Sequence, residues 1–223
     1  MLLYKKKNSF TSEQLQTIEG VMLGDGYMMK SGKNSANFQL EQAHFHKDWV
    51  YQIKDLLELD CKIYTRYKTA TNGTKGNKCL CYRFIKAGKV FKELHERFYI
   101  PKHCFDIAFN YESSTSVKQT KIIPLDLQLT PISLYHWYMG DGTLKGKCPA
   151  LCTQGFPKVQ LEKYIIPQLE QMGIKATLSF INREQYNKKT HGYVVIVKRG
   201  SSETFFNMIG PCITDGFQHK WPQ

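Results

Sequence analysis

Two stretches of this sequence end alike. Ile18-Glu19-Gly20-Val21-Met22-Leu23-Gly24-Asp25-Gly26 and Leu134-Tyr135-His136-Trp137-Tyr138-Met139-Gly140-Asp141-Gly142 are apolar runs closing on Gly-Asp-Gly. The second aspartate follows the first by 116 residues, about half of the 223-residue chain. Each run is preceded by a helix start. Thr11 with Gln14 makes a capping box, and Phe10 with Leu15 a hydrophobic staple; in the second copy Thr130 caps, Pro131 takes the first helical position, and Leu129 staples to Leu134. A capped helix that recurs at half-chain spacing implies two copies of one unit rather than a string of unrelated ones. Cap to aspartate is 14 residues in the first copy and 11 in the second, so the first helix is expected to be nearly a turn longer.

An aspartate at a helix C-terminus lies among unpaired carbonyls at the negative end of the dipole, where its charge is poorly placed for stability. A divalent cation resolves that conflict, because carboxylate plus carbonyl oxygen is the ligand set that magnesium prefers. Asp25 and Asp141, with the carbonyls of Gly24 and Gly140, are therefore the candidate metal ligands. Gly20 and Gly24, four apart, form a small-residue face on which a second helix can pack closely. If the two motif helices lie side by side, the aspartates converge and two metals can flank a phosphodiester.

A net charge of +12 and a pI near 9.3 point to a polyanionic partner, nucleic acid before membrane. No apolar stretch approaches the roughly 20 residues that a bilayer crossing needs. The seven cysteines show no disulfide framework and no paired zinc-ligand spacing. They read as reduced, which predicts an intracellular protein. Cys79 and Cys81 are expected to face opposite sides of a strand.

Along the chain, residues 1–8 form a basic arm. Residues 27–33 read as a strand turning at Ser31-Gly32, with 37–42 as its hairpin partner by their alternation. Residues 46–59 and 89–98 carry apolar side chains at helical spacing; 61–68 and 78–85 are strands around a polar loop at 71–77. Residues 101–120 read as irregular. The second half repeats the order: a strand near 147–154, a helix over 158–171 interrupted at Pro167 and closed by Gly173, strands at 175–182 and 193–198, and a helix over 202–208. Setting Gln42 against Gln154 brings Trp49 to Leu161, Ile53 to Ile165 and Leu57 to Leu169. The expected fold is α+β, with two pseudo-symmetric αββαββα halves at 9–112 and 129–223 joined by a linker at 113–128.

The two motifs, their caps and their spacing in a basic chain resemble the LAGLIDADG homing endonucleases in their single-chain, two-motif form. One departure is His136, which stands where Gly20 stands in the first copy and where a small residue is usual, so the helix crossing is expected to be wider or asymmetric. The resemblance implies a monomer whose antiparallel sheets form a DNA-binding saddle, with the motif helices packed at the interface. It implies hydrolysis of both strands of a long asymmetric double-stranded DNA site with Mg2+, for which Mn2+ or Ca2+ can substitute, and an intron-encoded origin. The other reading is an RNA maturase that assists intron splicing.

The resemblance also implies a lysine near the end of each half, matched by Lys121 in Lys121-Ile122-Ile123-Pro124 and Lys220 in Lys220-Trp221-Pro222. It implies a polar residue aimed at the scissile phosphate, for which Gln42 and Gln154 are candidates and Glu41 a close competitor. The strands would read the major groove. Candidate contacts in the first half are Lys30, Lys33, Asn34, Gln39, Arg66, Lys68, Lys75, Lys78 and Arg83. In the second they are Lys145, Lys147, Lys175, Arg183, Lys188, Lys189, Lys198 and Arg199.

Overall fold

The computed structural model describes residues 9–69, 78–109, 119–185 and 188–222, without the side chains of 69, 183–185 and 188–191. The basic arm, Lys75 and its loop, and residues 113–118 of the expected linker lie outside the described residues. Both motif helices start where local chemistry puts them. At α1 (Ser12–Leu23) Thr11 Oγ1 accepts from Gln14 N at 3.2 Å, and Gln14 Oε1 accepts from Thr11 N at 3.1 Å. At α5 (Pro131–Asp141) Thr130 and Ser133 make the same reciprocal pair, at 3.1 and 2.9 Å, behind Pro131.

The expected length difference is absent: α1 has 12 residues and α5 has 11. The extra residues lie in the exits. α1 stops at Leu23 with Gly24 as its cap, and Gly26 N reaches back to Val21 O at 2.7 Å, leaving Asp25 outside the helix. α5 runs through Asp141, and Gly142 N closes the last turn on Tyr138 O.

Each motif helix feeds a hairpin. β1 (Tyr27–Gly32) pairs with β2 (Ser35–Ala43), and the turn falls at Lys33-Asn34 rather than Ser31-Gly32, since Gly32 pairs with Ser35. β3 (Ile63–Thr69) and β4 (Lys78–Gly88) complete an antiparallel sheet of order β1-β2-β4-β3. β7 (Gly142–Lys145), β8 (Cys148–Leu151), β9 (Ala176–Gln185) and β10 (Lys188–Val197) form the second, of order β7-β8-β10-β9. The last two are longer than expected because the polar residues 183–185 and 188–190 stay in register, from Gln185 opposite Lys188 to Ala176 opposite Val197.

Alternation decides which face is covered. On β2, Ala36, Phe38, Leu40 and Gln42 are buried while Asn37, Gln39 and Glu41 are only partly covered. Phe38 and Leu40 pack with Phe84, under α2 (Lys47–Leu56) and α3 (Val90–Phe98), whose Trp49, Val50, Ile53, Phe91 and Phe98 are fully enclosed. In the second half Leu151, Val195 and Val197 meet Leu161, Ile165, Leu169 and Phe205, the last from α8 (Ser202–Ile209). The chain is α+β, two pseudo-symmetric units that each cover one sheet face and leave the other open. No described helix is long and apolar enough to cross a membrane.

Four local expectations change. The irregular 101–120 stretch contains α4 (Lys102–Phe109), supported by the Lys102–Asp106 ion pair one turn apart and by buried Phe105. It is preceded by β5 (Tyr99–Pro101), which pairs with β6 (Gln119–Lys121). The helix read over 158–171 is α6 (Lys158–Gln160), a π turn over Leu161–Ile165, and α7 (Ile166–Gln171), so the break precedes Pro167.

No single internal offset spans this helix, and the π turn accounts for one residue of the change. Lys47 and Lys158 open the two helices 111 residues apart, whereas Leu59 N→Lys54 O and Ile174 N→Leu169 O close them 115 apart. Finally, Cys79 and Cys81 share a face, as residues two apart in a strand do, and the Cys81 thiol donates to the Cys79 carbonyl at 3.7 Å.

Candidate active site

α1 and α5 cross with almost no side chain between them. A Cβ built on Gly20 would lie 2.3 Å from Ser133 O and 2.9 Å from His136 Cβ. One on Gly24 would lie 3.4 Å from Gly140 Cα and from Asp141 N, and one on Gly140 3.1 Å from Asp25 N. The crossing is thus not widened by His136. Its imidazole leaves the seam for the first half's core, where Trp49 Nε1 faces His136 Nδ1 at 3.5 Å, and burial there pushes it down to about 4. The asymmetry is real but lies in side chains, not in helix separation.

The glycine contact brings the two aspartates together, and both lysines with them. Lys121, on β6, donates to Gly24 O at 2.9 Å and Gly26 O at 3.0 Å, straddling Asp25. Lys220, at the end of the short helical turn Asp215–Lys220, donates to Met139 O at 2.6 Å and Gly140 O at 3.0 Å. It is held on its other side by the Phe217 ring, 4.8 Å away, and its own carbonyl accepts the Tyr138 hydroxyl at 2.6 Å. The lysines thus satisfy the carbonyls that the helix ends leave free.

Electrostatics sets these groups against their surroundings. Burial raises Asp141 to about 7, with the Asp25 charge pushing the same way and Lys121 and Lys220 opposing. Burial lowers Lys121 to about 8 against the pull of Asp141 and Asp25, and it lowers Lys220 against the same two carboxylates. Burial thus works against the charged forms of Asp141 and of both lysines in one partly desolvated seam. The donors available to a cation are two carboxylates and backbone carbonyls, a hard oxygen set of the kind that Mg2+ takes. Among the described residues no group of three or more His, Cys, Asp and Glu gathers in one place.

Gln42 and Glu41 part company. Gln42 Nε2 donates to Asp25 Oδ2 at 2.7 Å from the covered face, while Glu41 turns to the open face and accepts from Arg66 Nε at 2.6 Å. Gln154 is not the counterpart of Gln42. The ladder sets Gly142 opposite Leu151, and Cys152 N donates to Asp141 O at 2.8 Å, so Cys152 stands beside the second aspartate. Gln154 packs its Cα and Cβ against Gly192, whose φ of +142° and close contact leave no room for a side chain.

The residue-level reading missed Cys152, whose thiol burial and the Asp141 charge push up. It also missed His46, which stacks on Phe217 at 3.9 Å while its Nε2 is buried without a hydrogen-bond partner among the described residues. Burial and the Lys220 charge lower His46. Its signal in the sequence was a polar residue four after Gln42 at a strand-to-helix corner.

With this geometry in view, comparison decides the family. The model of the LAGLIDADG DNA endonuclease family matches residues 15–205. The chain belongs to that family. No curated protein matches it. Among solved structures, the homing endonuclease I-WcaI bound to its DNA recognition sequence is similar at 24% identity and TM-score 0.69, covering 98% of this chain and 95% of that one. A variant of I-DmoI with its nicked target DNA and manganese is similar at 13% identity and TM-score 0.49, covering 89% and 95%.

Seen as a LAGLIDADG protein, the chain carries its candidate DNA contacts unevenly. Gln39, Arg66, Lys68 and Arg83 lie on the open face of the first sheet, with Lys33 and Asn34 at its turn and Lys78 exposed at the start of β4. Lys30 lies 3.9 Å from Glu96, both half-exposed. On the second sheet Lys145 and Lys147 flank the β7–β8 turn, while Lys175, Lys198 and Arg199 gather at the end far from the β9–β10 turn. Arg183, Lys188 and Lys189 sit next to that turn by register, and their side chains lie outside the description.

Proposed function

We propose that this chain is a monomeric, metal-dependent homing endonuclease that hydrolyses both strands of double-stranded DNA at a long asymmetric site. The carrying observation is the glycine contact of Gly24 and Gly140, which sets Asp25 and Asp141 at one seam with a lysine on each side. Family membership supports the reading. So do the two open antiparallel faces on a +12 chain, since β-ribbons fit the major groove. One half-site falls to each of the units 9–112 and 129–223, and two unlike faces call for two unlike half-sites. Nothing favours the RNA maturase reading. Free cysteines support an intracellular location in this proposal.

In this reading Asp25 and Asp141 would hold the metal, Mg2+ in our proposal with Mn2+ or Ca2+ able to substitute, and the Gly24 and Gly140 carbonyls would join them through the lone pairs that Lys121 and Lys220 leave unused. A divalent ion supplies charge stabilisation at the phosphate and a more acidic bound water. Gln42 fixes one oxygen of Asp25 and leaves the other for a cation. Lys121 and Lys220 place ammonium groups where they orient a water or neutralise the phosphate as charge develops. Half or more of the candidate sheet contacts will meet phosphate rather than bases.

The test is cleavage of supercoiled plasmid carrying a site selected from random duplex DNA. Linear product with Mg2+ and none with EDTA is expected. Specific binding without cutting under every divalent ion would reduce the protein to a DNA-binding module, and selective binding of structured RNA alone would restore the maturase reading.

A further inference from the structure

Glu41 is the one carboxylate among the described residues of the open face of β2, β3 and β4, and three cations converge on it. In the cross-strand row Glu41–Arg83–Tyr64, Arg83 Nε lies 3.8 Å from Glu41 Oε2. From the neighbouring positions of β3, Arg66 Nε donates to that same oxygen at 2.6 Å, and Lys68 forms an ion pair with the other. The carboxylate is at the bottom of the group, its side chain 13% exposed against 47% for Arg66, 51% for Lys68 and 27% for Arg83. The cations outweigh the one acid.

The chemistry of this arrangement differs from that of three free cations. A guanidinium held at Nε keeps its Nη fork free and fixed in direction, and a fixed fork suits the paired O6 and N7 acceptors of guanine. Released from the carboxylate, Arg66 and Lys68 would be long flexible cations, and the nearest anions would be phosphates. A negative charge on a DNA-facing surface costs affinity for any duplex. What it can supply in return is direction, and with it discrimination.

We propose that Glu41 is the specificity-determining residue of the first half, holding Arg66, Lys68 and Arg83 as one reader of guanine-bearing base pairs in the major groove. This rests on the proposed DNA-cleaving function. Glu41 acts through the cations and is a positioning residue, with no part in the cleavage chemistry, although it adjoins Gln42.

The experiment compares wild type with Glu41→Gln and Arg66→Lys. Each is used to select bound sites from a random duplex library, then measured on every single-base-pair variant of the wild-type site and on random duplex. Wild type should disfavour the wrong base by roughly tenfold or more at two or three adjacent positions of one half-site. Glu41→Gln should bring those penalties within about twofold, leave the other half-site's profile intact, and bind random duplex more tightly with a steeper salt dependence. Arg66→Lys keeps the charge and loses the fork, so it should lose discrimination at a subset of the same positions.

A uniform loss of binding in Glu41→Gln would mark a merely structural residue. An unchanged profile would show Glu41 idle while leaving the nuclease reading standing. Failure of the wild type to select any sequence would remove that reading and this one with it.

Discussion

The two helix ends that carry the aspartates share Gly-Asp-Gly and are unlike in structure. Asp25 sits beyond its helix, exposed, with Gln42 on one oxygen and Lys121 bridging the carbonyls on either side of it. Asp141 is the last residue of its helix, more enclosed, pushed up to about 7, with Cys152 opposite and Lys220 on the two preceding carbonyls. A repeated tripeptide therefore does not guarantee a repeated environment. Whether Gly26 reaches back five residues or Gly142 reaches back four decides where the carboxylate emerges, and the electrostatics follow.

The largest effect should come from removing either carboxylate. Asp25→Asn and Asp141→Asn should each lose double-strand cleavage by ~1,000-fold while keeping specific binding in a gel-shift assay. Full activity in either variant would dissolve the pairing of the two ends. Next come the lysines. Lys121→Met and Lys220→Met should each cost on the order of a hundredfold and yield nicked circles, at different rates and with opposite strand preference, read by labelling both strands. Equal slowing of both strands would make the two ends one coupled site.

A smaller effect separates their neighbours. Gln42→Ala should slow one strand about tenfold, the loss of a positioned hydrogen bond to a charged group, whereas Gln154→Ala should change neither rate. A strand-selective defect in the Gln154 variant would restore the symmetry that the strand ladder denies. Smallest is a thermal difference. In EDTA at neutral pH, Asp141→Asn removes a half-buried, like-charged carboxylate and should melt a few degrees higher, by more than Asp25→Asn, which keeps an amide oxygen for Gln42 but loses the charge that strengthens that bond. The reverse order would place the electrostatic burden on the other end.

Much of this was readable from residues alone where the cause is local. Thr11 with Gln14, and Thr130 followed by Pro131, mark helix starts because each cap is made within one turn of chain. The burial of Phe38 and Leu40 followed from alternation, and Trp49 and Ile53 from helical spacing. Lys121 and Lys220 came from family resemblance, since nothing near them in sequence shows that they approach the aspartates. What failed depended on register. Glu41 and Gln42 are adjacent, and only the pairing of β2 with β4 settles that one faces outward while the other reaches Asp25. Gln154 was matched to Gln42 through a helix whose counterpart contains a π turn, a device without a residue signature. α4 escaped because Phe105 is its one buried residue.

The seam itself has a mechanical consequence. At Gly24 and Gly140 main chain rests on main chain with no compressible side-chain layer between, so the joint is stiff and the two open faces keep a fixed phase. A duplex laid across them must present its half-sites at one spacing, because each added base pair turns the second half-site by about 34–36°. The protein then behaves as a ruler as well as a reader, tolerant of some base changes within a half-site and intolerant of a single inserted pair between them.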